Sequence, residues 1–95
     1  MKQLAVYIMA SQRNGTLYTG VTSNLPKRIY EYKHSIMDGF AKKYCCNVLV
    51  FYELLDSMES ALIREKQIKA GSRKKKLTLI ENINPEWKDL YEELI

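Results

Sequence analysis

Arg28 and Glu65 each interrupt an apolar stripe that a helix would bury. Leu25, Arg28, Ile29 and Tyr32 fall at i, i+3, i+4 and i+7, and Glu65 lies four after Ala61 and three before Ile68. A charge on an inward face needs a partner, because burying it unpaired is costly. For Arg28 two readings stand: a snorkelling stem or structural ion pair, and a guanidinium that clamps a phosphate. For Glu65 they are an ion pair with Arg28, and a metal ligand pointing under a pair of hairpin tyrosines. Those tyrosines, Tyr7 and Tyr18, lie near the bare backbone of Gly20. If these faces converge, the set suits phosphodiester hydrolysis. A divalent ion acts as Lewis acid and activates water, while a permanently charged guanidinium holds the phosphoryl oxygens. One carboxylate suits magnesium, which keeps several waters and takes other oxygens from substrate. A free tyrosine ionises near pH ~10, so Tyr7 works as a base only if cations favour its phenolate.

The elements that must position these residues follow from local signals. Asn14-Gly15, flanked by apolar runs Leu4–Ala10 and Leu17–Val21, predicts a β-hairpin. A loop of even length puts Tyr7, Met9, Tyr18 and Gly20 on one face. Ser23 or Asn24 caps the next helix, with Pro26 in its first turn. Ser35 to Lys43 reads as a loop. Val48 to Leu55 is a continuous apolar run that predicts a strand buried on both faces and central or nearly so. Asp56 and Glu59 form a capping box for a helix to about Ala70, with Met58, Ala61, Leu62 and Ile68 as its stripe and Gly71 to stop it. A short helix from Ser72-Arg73 to Ile80 follows, and Pro85 opens a last one, Glu86 to Leu94.

The chain has 95 residues, enough for one domain with a modest core. Its net charge of +4 permits an anionic partner without demanding one. The charge is unevenly placed: Arg64 to Lys76 holds seven Lys or Arg against one Glu, whereas Glu81 to Ile95 holds five acids against Lys88. A basic face beside an acidic end fits nucleic-acid binding better than a mixed surface, although a solvated helix face explains the charge as well. Lys42, Lys43, Lys66, Arg73, Lys74, Lys75 and Lys76 are the expected contacts. Adjacent Cys45 and Cys46 suit neither a metal pair nor a disulfide framework, and read as thiols in a reducing compartment. No apolar run approaches the roughly 20 residues of a membrane span. The run Leu4–Ala10 is short for a signal peptide and leads into Asn14-Gly15, so it reads as a strand and the expected location is cytoplasmic.

Ala5-Val6-Tyr7, Tyr18-Thr19-Gly20 and Arg28 together resemble the GIY-YIG nuclease family. Gly39 to Tyr44, Arg64 to Lys69 and Asn84 to Trp87 extend the resemblance over nearly the whole chain. The resemblance is to the short stand-alone bacterial members, which are related to the N-terminal nuclease domain of the excision-repair endonuclease. It implies that Tyr7 is the general base or orients the attacking water, and that Tyr18 supports the water and the phosphate. Arg28 then stabilises the transition state and Glu65 binds a single Mg²⁺ or Mn²⁺. Tyr32 occupies a place where members carry tyrosine or histidine, and Gly20 is structural. Asn84 corresponds to a late asparagine, with Asn82 as the competing choice. His34 is either a displaced helper or a surface residue.

The expected fold is α+β, a three-stranded antiparallel sheet flanked by helices. The expected function is a metal-dependent endonuclease cleaving duplex or branched DNA, with structure-specific repair or recombination as a setting. Two other classes compete: a non-catalytic nucleic-acid-binding module that keeps the fold, and an adaptor whose acidic end docks a protein. Neither needs Tyr7, Tyr18, Arg28 and Glu65 together.

Overall fold

The computed structural model describes residues 4–34, 39 and 43–94. Its centre is β1, Ala5–Ala10, in which every residue is buried. It is flanked by β2, Leu17–Thr22, and β3, Val48–Leu54, in the antiparallel order β2-β1-β3. The chain is therefore α+β with a three-stranded antiparallel sheet, as the sequence implied.

Alternation along β1 divides the core into two layers. Ala5, Tyr7 and Met9 face α1, Leu25–Lys33, and pack with its Leu25, Ile29 and Tyr32. Val6, Ile8 and Ala10 face the other way, onto α2, Met58–Ala70, and α3, Arg73–Ile83, through Ala61, Ile68 and Ile80. Each fully buried aliphatic side chain in these layers contributes roughly 1.5–3 kcal/mol. None of the helices among the described residues is long and apolar enough to cross a membrane.

The strand from Val48 is not central. It is an edge, and its apolar character has a different cause: the C-terminal segment covers its open side. Phe51 pairs with Ile8 and Leu49 with Met9, so Val50 is an extra residue, a β-bulge. The Val50 carbonyl accepts from Asn84 Nδ2 at 3.1 Å, and the Leu49 N–H donates to the Asp89 carboxylate at 3.3 Å.

The expected helix Glu86–Leu94 is also replaced, leaving a 3-10 helix, Leu90–Leu94. The Asn84 side chain intervenes, with Oδ1 accepting from the Lys88 N–H at 2.9 Å and Nδ2 donating to the Lys88 carbonyl at 2.8 Å. Trp87 turns to a positive φ of 56°, and its indole N–H donates to Glu81 at 2.9 Å. The buried ring offsets that backbone strain.

Two smaller corrections concern α2. Its N-cap is Ser57, whose hydroxyl accepts from the Ser60 N–H at 3.1 Å, so the predicted Asp56–Glu59 box is displaced by one capping-competent residue. Met58 and Leu62, expected in the buried stripe, are each 42% exposed because only Ala61 and Ile68 meet the sheet. The helix does end at Ala70, and α3 starts at the Ser72 cap and runs past Ile80 to Ile83.

Candidate active site

The hairpin turns where the sequence indicated. Asn14 has φ 59°, the Gly15 N–H donates to the Gln12 carbonyl at 2.9 Å, and the Ser11 N–H donates to the Thr16 carbonyl at 3.0 Å. The resulting register sets Tyr7 opposite Gly20 and Met9 opposite Tyr18, so all four share a face. Gly20 is required for space. A Cβ there would lie 2.5 Å from the Tyr7 hydroxyl and 3.2 Å from the Tyr18 ring. The Tyr7 phenol leans across the bare backbone of its neighbour.

Helix α1 supplies the other half of the cluster. Asn24 is the N-cap, accepting from the Lys27 N–H at 3.3 Å, and Pro26 sits in the first turn. This phase turns Tyr32 inward, where its hydroxyl is 2.9 Å from that of Tyr7. The Tyr32 ring centroid lies 6.0 Å from those of both Tyr7 and Tyr18, tilted to each. Arg28, one turn earlier, borders the same phenols. Its side chain is one third exposed and pairs with Glu31 at 3.6 Å.

The charges respond to this geometry. Burial pushes the Tyr7 phenol above its ordinary value, while the Tyr32 hydrogen bond and the Arg28 guanidinium pull it back. Burial also raises Tyr32, and its bond to Tyr7 raises it further. Burial works against the charge of Arg28, but Tyr7 and Tyr32 more than offset it. Two neutral phenols therefore sit beside a lasting cation. Arg28 opens onto a groove of about 340 Å³ shared with Thr22, Ser23, Asn24, Lys27 and Glu31.

Glu65 approaches from elsewhere. Its helix neighbours Ala61 and Ile68 pack on the sheet layer opposite Tyr7, not on the layer of α1. Nor does it pair with Arg28: its carboxylate meets Lys69 Nζ at 3.2 Å and is 17% exposed. Lys69 in turn lines a cleft of about 290 Å³ along β2 with Leu17, Tyr18, Thr19 and Lys76. Tyr18 is thus the residue common to the aromatic cluster and to the cleft bordered by α2 and α3. Lys69 was not among the expected contacts, although its place four residues after Glu65 is the spacing of a helical ion pair.

The remaining predicted residues divide. Asn84 is buried and both ends of its amide bind backbone, holding β3 to the C-terminal segment, whereas Asn82 is exposed. Arg73 Nη2 donates to the carbonyls of Asn14 and Gly15 at 2.8 and 2.7 Å, clamping the hairpin turn. Lys66, Lys74 and Lys75 are exposed, and Lys76 is half-buried in the cleft. Lys43 Nζ lies 5.4 Å from the Tyr44 ring centroid. Lys42, and most of the loop from Ser35 to Lys43, lie outside the described residues. His34 is exposed and stacks on Tyr30 rather than joining the cluster.

Residues 3–78 match the family model described as the GIY-YIG catalytic domain. The chain belongs to the GIY-YIG family. A UPF0213 protein of Syntrophus aciditrophicus is 40% identical over 90 residues, covering 90% of this chain and 98% of the relative. A UPF0213 protein of Staphylococcus saprophyticus is 37% identical over 75 residues, covering 79% and 90%. The solution NMR structure of a UPF0213 protein from Bacillus halodurans shares the fold, with TM-score 0.55, 24% identity and coverage of 94% and 93%. This GIY-YIG chain thus resembles short proteins of similar length. Its family match is to a nuclease-type catalytic domain that implies nucleic acid as partner.

Proposed function

We propose that the protein is a divalent-metal-dependent endonuclease that hydrolyses DNA phosphodiester bonds at the open edge of β2. The observation that carries this reading is the pair of buried, hydrogen-bonded phenols Tyr7 and Tyr32 beside the partly exposed Arg28, with Gly20 making room for Tyr7. Two phenols buried against each other place their hydroxyls beside a cation that reaches a solvent groove.

In this reading Arg28 binds the scissile phosphate and stabilises the charge that grows on its oxygens. Tyr7 remains a neutral phenol. Its oxygen accepts hydrogen bonds from Tyr32, which fixes its hydroxyl, and from the attacking water. Tyr18 closes the cluster against the β2 cleft and touches the phosphate. Asn84 acts through the fold, by holding β3 in register.

Glu65 is the residue that would hold the metal ion. The donor set fits one: a single carboxylate, mostly shielded and held by one lysine, in a molecule with a cationic cleft nearby. Among the described residues no three His, Cys, Asp or Glu side chains form a metal cage, and an ion held by one carboxylate would take its other ligands from water and substrate. A bound Mg²⁺ or Mn²⁺ supplies Lewis acidity and a more acidic water. Lys69, Lys76, Lys66, Lys74 and Lys75 carry the flanking phosphates, and a role in repair or recombination is part of the proposal.

The test is a panel of labelled duplex, nicked and branched DNAs with Mg²⁺ or Mn²⁺, comparing wild type with Glu65→Ala. Cleavage by wild type, lost in the folded variant and on chelation, supports the reading. Salt-sensitive binding with no cleavage of any substrate moves the assignment to a binding module.

A further inference from the structure

The outer face of α1 carries two aromatic rings that neither the core nor the tyrosine cluster uses. Tyr30 and His34 stack with centroids 4.0 Å apart and planes inclined by 24°. His34 is held in place twice: its Nδ1–H donates to the Tyr30 carbonyl at 2.9 Å, and its backbone N–H reaches the same oxygen at 3.1 Å. Although one ring covers the other, Tyr30 remains 47% exposed. The pair presents a stacked aromatic face to solvent.

Its position gives it a use. Lys27 lies one helical turn before Tyr30 on the same side of α1, and lines the Arg28 groove. A site for phosphate and a surface for an aromatic ring are therefore adjacent along one helix. We infer that the Tyr30–His34 stack is a platform for an unpaired nucleobase whose own phosphate lies in the Arg28–Lys27 groove. The favoured substrate is then DNA with a splayed or single-stranded nucleotide at the cut.

The chemistry is general. Every base has a π-face, and stacking on an exposed aromatic ring is tolerant of sequence. A nucleotide inside a continuous duplex offers no such face unless it is first unstacked, which costs least where it is already unpaired. The inference rests on the endonuclease reading for the identity of the groove, and it adds the substrate class.

The test uses DNA carrying 2-aminopurine at the junction nucleotide of a flap, with metal omitted so that binding is read apart from cleavage. Wild type and Tyr30→Phe are expected to quench the fluorescence on binding. Tyr30→Leu should lose the quenching and bind the flap on the order of tenfold more weakly, with affinity for continuous duplex unchanged. Because Tyr30→Phe keeps the ring, it separates loss of stacking from loss of fold. Undiminished quenching in Tyr30→Leu, or equal weakening on flap and duplex, overturns the platform and leaves the endonuclease reading intact. Failure of wild type to bind any of these DNAs overturns both.

Discussion

The two edges of the sheet are finished differently. Along β3, Asn84 and Asp89 take up backbone groups at the Val50 bulge, and the C-terminal 3-10 helix lies beside them. Along β2, a cleft and a groove remain, bordered by Tyr18, Lys69 and Lys76 at one end and by Lys27 and Arg28 at the other. An exposed strand edge invites pairing with another chain, so sealing β3 is protective. The open side of β2 is lined instead with cations and phenols. In a small protein the edge left open, and charged, is where a polyanion can be received.

The largest effects should come from the open edge. Arg28→Ala is expected to lower cleavage on the order of 10²–10³-fold while weakening DNA binding far less, measured by single-turnover kinetics beside a binding titration. Equal losses in binding and cleavage would reduce Arg28 to an anchor. Next is the sealed edge. Asn84→Ala removes three hydrogen bonds from a buried site and should cost roughly 2–4 kcal/mol in urea unfolding. A loss below about 1 kcal/mol would mean that the C-terminal segment does not hold β3.

How much of this contrast the sequence held depends on the kind of interaction. The hairpin was legible because Asn14-Gly15 fixes a turn and parity then fixes the faces of Tyr7, Gly20 and Tyr18. Arg28 and Glu65 were legible as charges within apolar stripes. The sealed edge was not, because a strand covered by a loop and a central strand give the same apolar run. The turn at Trp87 was hidden for a related reason: it is made by the Asn84 side chain binding backbone, which has no period. Arg73 looked like any member of a basic run, yet it clamps the hairpin turn. The sides of the sheet taken by α1 and α2 could not be read from either helix alone, so the ion pair of Glu65 with Lys69 rather than Arg28 was hidden.

Gly20→Ala brings a methyl group against the Tyr7 phenol and should destabilise by about 1–3 kcal/mol, with a disproportionate loss of cleavage as that ring shifts. Thermal melts and cleavage rates on the same samples check both parts. The buried phenols also predict a pH dependence. Because the folded pKa of Tyr7 is raised, the folded state holds its proton more tightly than the unfolded chain. Its contribution is complete below about pH 10 and is lost as pH rises through the folded value. Tyr7→Phe should therefore flatten the decline in stability above about pH 10, seen in urea titrations across pH. The smallest effect expected is at Lys76. Its change to Ala should reduce the salt slope of DNA binding by about one phosphate contact, whereas the same change at the exposed Lys88, paired with Glu86 outside the cleft, should leave the slope unaltered.

Single-turnover cleavage of branched DNA by Tyr7→Phe, Arg28→Ala and Glu65→Ala, each confirmed as folded, tests the site most directly. DNA binding is expected to stay close to wild type in all three, with cleavage lost or reduced on the order of 10²-fold or more in each. Cleavage at the wild-type rate in Arg28→Ala and Tyr7→Phe would contradict that expectation, and would place the chemistry away from the open edge of β2.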